Sequence, residues 1–276
     1  MKTLSHTLVS RSLRWNSFWN LCVGTWILIW QGFAYLSAYE EKQEILFILA
    51  LALFHYIFAI WYWKGRTLTS FAAASVPARL FIAGYYLIVA FLFYFLSPSS
   101  SAPSSFRGFF LFYLTVQLTI DVLGAIITWK SLRDDMPKIE GRIGKELKFE
   151  HKNRFLFAVY LLCLGLWILF FTDGFLRFFH FSDSRFFGWK DDKILFGPIH
   201  ILAGQIILLA YYNFIAVRYR LDPLIAAGIR GGVFTCFFLL TFVLFGLLHP
   251  LILLLPIVDF VSLVSILFLK LKKRNS

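Results

Sequence analysis

Apolar residues in this chain come in long unbroken runs rather than in alternation with polar ones. The runs lie at 18–37, 45–63, 80–96, 108–129, 155–172, 194–217, 231–248 and 251–269. Each approaches or reaches the roughly 20 apolar residues that a helix needs to cross the hydrocarbon core of a bilayer. Eight transmembrane helices are therefore predicted. Little more than His249-Pro250 separates the last two. Proline lacks a backbone donor and disfavours helix in the residue before it, so this pair reads as a tight hairpin. No segment shows the ten-residue alternation of a membrane barrel strand. The expected fold class is an all-α polytopic membrane protein.

Composition supports the same reading. The chain is 59% hydrophobic and only 15% charged, far from the balance of a soluble domain. A net charge of +12 raises nucleic acid as a partner, but a nucleic-acid binder gathers its cations on one groove-facing surface. Here they fall between the apolar runs, so nucleic acid is set aside. With the N-terminus inside, the inner segments hold most of the 27 Lys and Arg: around Arg11 and Arg14, from Lys64 to Arg79, from Lys130 to Arg154, from Arg218 to Arg230, and from Lys270 onward. Cytoplasmic loops retain positive charge, which predicts an inner-membrane protein with both termini cytoplasmic. The first apolar run exceeds a signal-peptide core and is read as a helix that stays.

An internal repeat organises the spans. "LCVGTWILIW" from Leu21 and "LCLGLWILFF" from Leu162 agree at six of ten positions, including the Cys22/Cys163, Gly24/Gly165 and Trp26/Trp167 pairs. "TSFAAASVP" from Thr69 parallels "DPLIAAGIR" from Asp222, and Asp121 in "LTIDVL" parallels Asp259 in "PIVDFV". A unit with an even number of helices returns to its starting side, so the halves are expected as two parallel four-helix repeats about an axis along the membrane normal. The expected boundaries are 1–129 for the first repeat, 130–154 for a charged cytoplasmic linker and 155–276 for the second repeat. Within the linker, Ile139, Ile143 and Leu147 fall at the spacing of a short surface helix.

The second half resembles small four-helix bacterial membrane proteins of the DoxX-like and uncharacterised type. The resemblance is carried by Pro198, His200 and Gly204 opening its second helix, Asp222-Pro223 after it, Gly228 before the third and Asp259 in the fourth. It implies a compact four-helix bundle and carries no activity with it. The first half departs from the pattern, with Phe47 standing where His200 aligns.

Two charged residues fall inside the predicted spans, Asp121 and Asp259. A carboxylate at the bilayer centre costs about 2.5 kcal/mol or more on insertion scales, which makes these two the leading substrate-binding candidates. Gln117 is one turn before Asp121 and shares its face, and His200 lies six residues into its span. In the rival reading each aspartate is a hydrogen-bonded clasp within its own bundle. Arg66, Arg79, Arg218 and Arg220 are assigned to inner loops, where they could hold lipid phosphates. The segment from Asp173 to Lys193 mixes aromatic and charged residues, as an interfacial belt does and as a lid over a lipid-accessible pocket would.

His55 and His200 show no diagnostic metal spacing, and Cys22, Cys163 and Cys236 form no CxxC. No metal and no cofactor is implied. Hydrolase, metalloprotease and nucleotide-binding motifs are missing. The reading that fits best is an integral membrane protein that binds or transports a small or lipophilic molecule at the repeat interface. A scaffold for a membrane protein partner and an intramembrane lipid-modifying enzyme are the alternatives, with the lipid bilayer as the partner common to all three.

Overall fold

The computed structural model describes residues 8–37, 42–96, 104–132, 149–179, 196–244 and 249–257, with 260, 261, 264 and 265. The helices are α1 (Leu8–Ser37), α2 (Lys42–Gly65), α3 (Thr69–Leu96), α4 (Ser104–Leu132), α5 (Phe149–Phe170), α6 (Thr172–Phe178), α7 (Phe196–Arg218) and α8 (Asp222–Leu244). A 3₁₀ turn, Pro250–Leu254, follows, capped by His249 with proline at its first position. No β-strand occurs among the described residues. Within α3, α4, α5, α7 and α8, segments of 20 to 24 residues are long and apolar enough to cross a membrane. The protein is an all-α membrane protein.

Large apolar side chains cover the outside of the bundle, Phe81, Phe170, Phe237 and Leu244 among them. A helix that is apolar all round faces either protein or lipid on every side. The innermost helix is α7, buried along 83% of its apolar span. It packs against α5, α3, α2 and α8, while α1 lies on α2 and α4, and α3 lies on α4.

Two glycines bring helix backbones close together. A Cβ added at Gly24 would stand 3.2 Å from the Ala52 carbonyl oxygen, and one at Gly165 would stand 3.2 Å from the Ala203 carbonyl oxygen and 2.6 Å from the Ile207 side chain. Small residues let helix backbones meet where no hydrophobic effect drives them together.

Several helices start earlier than the apolar runs suggest, α1 at Leu8 and α8 at Asp222 among them, and two of the early starts bury an arginine. Helix α3 begins at Thr69 rather than near residue 80, so it contains Pro77 and Arg79. Proline removes one ladder bond, and bonds from outside the ladder support this stretch: Ser75 Oγ donates to the Ala72 carbonyl and Tyr211 OH to the Ala74 carbonyl. Helix α5 begins at Phe149 and takes His151 and Arg154 out of the expected linker. Both boundaries were hidden by polar side chains that the fold buries.

Short three-residue turns join α2 to α3 and α7 to α8; in the second, Arg220 adopts φ 52°. This end, carrying Lys64, Arg66, Arg218 and Arg220, is the basic end of the bundle. Residues 133–148 of the expected linker, 180–195 of the expected outer loop, and Asp259 lie outside the described residues.

Gly165→Leu is expected to destabilise the protein by about 1–3 kcal/mol through overpacking. At Gly84 nothing lies within 4 Å of an added Cβ, so Gly84→Leu is expected to be neutral or to stabilise by up to about 1 kcal/mol through helix propensity. Thermal melting of the two variants in detergent, with only Gly165→Leu losing stability, checks the close approach of α5 to α7.

Candidate functional site

Tyr113, Gln117, Asp121, Gly124 and Thr128 recur every three or four residues along α4, and all five are buried. That spacing puts them on one face, and at 1.5 Å per residue the stripe runs about 22 Å along the helix. Across from it, α1 contributes Ser12, Asn16 and Asn20 at intervals of four, also buried. Ser12 and Thr128 hydroxyls meet at 2.9 Å at the basic end. A Cβ at Gly124 would stand 2.7 Å from Asn16 Oδ1 and 2.8 Å from Arg79 Nη1, so glycine here makes room for both side chains.

Farther along, His55 of α2 bridges Asn20 and Tyr113, with 2.8 Å from Nδ1 to the Asn20 Oδ1 and 2.8 Å from Nε2 to the Tyr113 hydroxyl. Asn20 Nδ2 donates to the Asn16 carbonyl, which leaves Oδ1 for the ring. An amide oxygen only accepts, so in the neutral ring Nδ1 holds the proton and Nε2 accepts from Tyr113.

From α7, Gln205 Nε2 donates toward the hydroxyls of Tyr113 (3.3 Å) and Tyr86 (3.4 Å). Gln117 Nε2 donates to Asp121 Oδ2 at 3.0 Å. Arg79 completes the seam. Its Nε reaches the Tyr62 hydroxyl and its Nη1 the Thr128 hydroxyl, each at 3.4 Å, with the guanidinium carbon 4.6 Å from the Tyr62 ring centre. Tyr62 in turn is 2.8 Å from the Tyr212 hydroxyl. Arg79 stands beside Gly124, one turn along α4 from Asp121, and a low effective dielectric strengthens the action of its charge on the carboxylate. Arg79 is 0% exposed and Asp121 is 5% exposed.

Four buried polar atoms of this seam have no hydrogen-bond partner: Arg79 Nη2, Asn16 Nδ2, Gln117 Oε1 and Gln205 Oε1. Two are donors and two are acceptors. Leaving such a group unpaired costs about 1–3 kcal/mol.

The residues singled out in the sequence divide. Asp121 and Gln117 lie in the seam. His200 is buried near the start of α7, where its backbone carbonyl accepts from Tyr85 at 2.6 Å; Gln205, five residues on, is the α7 residue that joins the network. Arg66, Arg218 and Arg220 lie at the basic-end turns, with Arg66 4.0 Å over the Trp63 ring and Arg218 5.6 Å from that of Tyr219.

Arg79 corrects the sequence reading. It lies on no loop and cannot hold a lipid phosphate, because α3 starts ten residues before it and three neighbouring helices enclose it. It is instead a buried charged residue inside the α3 span. The sequence reading also passed over Ser12, Asn16, Asn20, Tyr113 and Thr128, although their spacing of three or four was a usable signal.

No cluster of three metal-ligating side chains occurs among the described residues. No family model matches this chain, and no curated protein or solved structure matches it either.

If Arg79 and Asp121 stabilise one another, Arg79→Met and Asp121→Asn are expected each to destabilise the protein, and the double variant by less than the sum. A coupling on the order of 1 kcal/mol or more, read from melting of all four proteins, is the expected result. Strict additivity removes the electrostatic link.

Proposed function

We propose that this is a membrane transport protein whose buried seam passes protons, alone or together with a small polar solute, with Asp121 as the ionisable group. The observation that carries this reading is the seam itself. A carboxylate, an imidazole and several hydroxyls line about 22 Å of α4, against a hydrocarbon core about 30 Å thick, and four of the buried polar atoms beside them lack a protein partner. Ionisable groups inside membrane spans characteristically mark ion and proton pathways. A bare metal cation suits the seam poorly, since the buried guanidinium of Arg79 already supplies positive charge there.

We place the protein in the bacterial inner membrane with both termini cytoplasmic, so that the basic end faces the cytoplasm. We also read the chain as a tandem duplication in which α1, α2 and α3 correspond to α5, α7 and α8. Two features support this. Gly24 and Gly165 approach a carbonyl of the next long helix at the same distance, and α3 packs on α7 as α8 packs on α2. In this arrangement most of the seam lies within the first repeat, and α7 of the second repeat joins it through Gln205 and Tyr212.

The test is proton flux. Reconstituted into vesicles carrying a trapped pH dye, with an imposed potential, the wild-type protein is expected to collapse a pH gradient. Asp121→Asn should leave it at the rate of protein-free vesicles. Wild-type vesicles as tight as protein-free ones would sink the proton reading and leave a membrane scaffold as the better account.

A further inference from the structure

The basic end of the bundle is not uniform. On the side formed by α1, α2 and α4 it carries Arg11, Arg14, Lys64, Arg66 and Lys130, all exposed except Arg66, which is half-buried. Among the described residues no acidic side chain answers them. Helices α1 and α3 contain none, and the acids of α2 and α4 are Glu44 and Asp121. Glu44 is twenty residues from Lys64, about 30 Å along the helix, and Asp121 belongs to the seam. On the other side of the bundle Asp222 pairs with His151 at 3.3 Å.

Two of these cations stand together. Ser17 of α1 donates from Oγ to the Ala59 carbonyl of α2 at 2.7 Å, and Gly24 faces Ala52, so the two helices run antiparallel. A step toward the basic end lowers the residue number on α1 and raises it on α2. Arg14 is therefore level with Tyr62 and Trp63. Arg66 folds back to the same level: its guanidinium carbon lies 4.0 Å from the centre of the Trp63 ring, and Nη1 donates to the Trp63 carbonyl. Burial, and after it the like charge of Arg14, holds the Arg66 guanidinium below its ordinary pKa. Arg66 Nε is buried with no hydrogen-bond partner. Two like charges side by side, one with a donor unused, mark a place for an anion.

The surroundings select the anion. Trp15, Trp63 and Trp129, one each on α1, α2 and α4, are 65%, 46% and 48% exposed at this end. Exposed tryptophans settle at the headgroup level of a bilayer. One turn deeper on the same helices, Phe18 and Ile60 present exposed apolar side chains on the faces of Arg14 and Trp63. An anion arriving here therefore comes with hydrocarbon below it. A guanidinium grips an oxyanion through parallel hydrogen bonds, and a phosphodiester offers one free oxygen to each arginine. A choline headgroup would bring its own cation among Arg11 and Lys64, where like charges repel.

We propose that Arg14 and Arg66 form a binding site for an anionic phospholipid, the phosphodiester held between the two guanidinium groups and the chains laid along α1 and α2 beside Phe18 and Ile60. The site does not rest on the proton reading of the seam.

The full-length protein in a non-ionic detergent is titrated with phosphatidylglycerol and, separately, with phosphatidylcholine of the same chains, and the lipid-bound species are counted by native mass spectrometry. A cation near a membrane surface contributes about fivefold in affinity for anionic lipid, so phosphatidylglycerol should bind at least tenfold more tightly. The double variant Arg14→Gln/Arg66→Gln should cut that preference at least fivefold, and Arg14→Lys/Arg66→Lys should keep part of it. Arg218→Gln/Arg230→Gln removes the same charge from exposed positions on α7 and α8 and should change the preference less than twofold. Glycerophosphoglycerol, the headgroup without chains, should not displace the lipid. Equal affinity for the two lipids, equal losses in the two glutamine double variants, or displacement by the free headgroup would each overturn the proposal.

Discussion

A guanidinium cannot be left bare among hydrocarbon. Arg79 sits ten residues into α3 with no exposure, in a helix whose other side chains are almost all apolar. Transfer of an uncompensated charge to such surroundings is prohibitive, so neighbouring helices must bring polar groups to it. Tyr62 comes from α2 and Thr128 from α4, Asn16 of α1 stands beside Gly124, and Asp121 supplies the opposing charge. These requirements fix the rotation and height of four helices at once, because a turn's slip of any one withdraws its partner. Apolar packing between membrane helices is weakly directional. Here the buried charge supplies the direction.

The sequence exposed the parts of this arrangement that depend on composition. Long apolar runs placed the spans, and an isolated carboxylate among them drew attention to Asp121, with Gln117 one turn away. What it concealed follows from one assumption, that charge marks the end of a span. Arg79 and Arg154 each precede an apolar run, and each was assigned to a loop or linker on that ground. Both are buried in helices that begin five to ten residues earlier. Hydropathy alone cannot separate an arginine that ends a span from one the fold encloses. The polar spacing of α1 could have done so: Ser12, Asn16 and Asn20 repeat at four residues and describe a face that needs polar company. His55 was noticed for metal chemistry, whereas the structure bonds both of its ring nitrogens to protein side chains.

Helices α2 and α7 form the wall between two unlike compartments. On one side are the hydroxyl, amide and carboxylate groups of the seam; on the other is an apolar cavity of about 140 Å³ between α2, α5, α7 and α8, ending at Arg154. Trp61 lines the cavity and stacks on Tyr212 with ring centres 6.1 Å apart, and Tyr212 bonds to Tyr62, which bonds to Arg79. Around these residues the wall is aromatic, and it presents a hydrocarbon surface to the cavity and hydroxyls to the seam. Tyrosine suits such a position because one side chain serves both environments.

That wall also bears on the strength of the seam. Interactions between its charges and dipoles depend on a low local dielectric, which admitted water would raise. An apolar cavity lined by Trp61, Leu202 and Ile206 offers water too few partners to hold it, so the cavity insulates the seam from the α5 side. Water carried past Trp61 would weaken the action of Arg79 on Asp121, so the seam depends on the aromatic rings that close it off from the cavity.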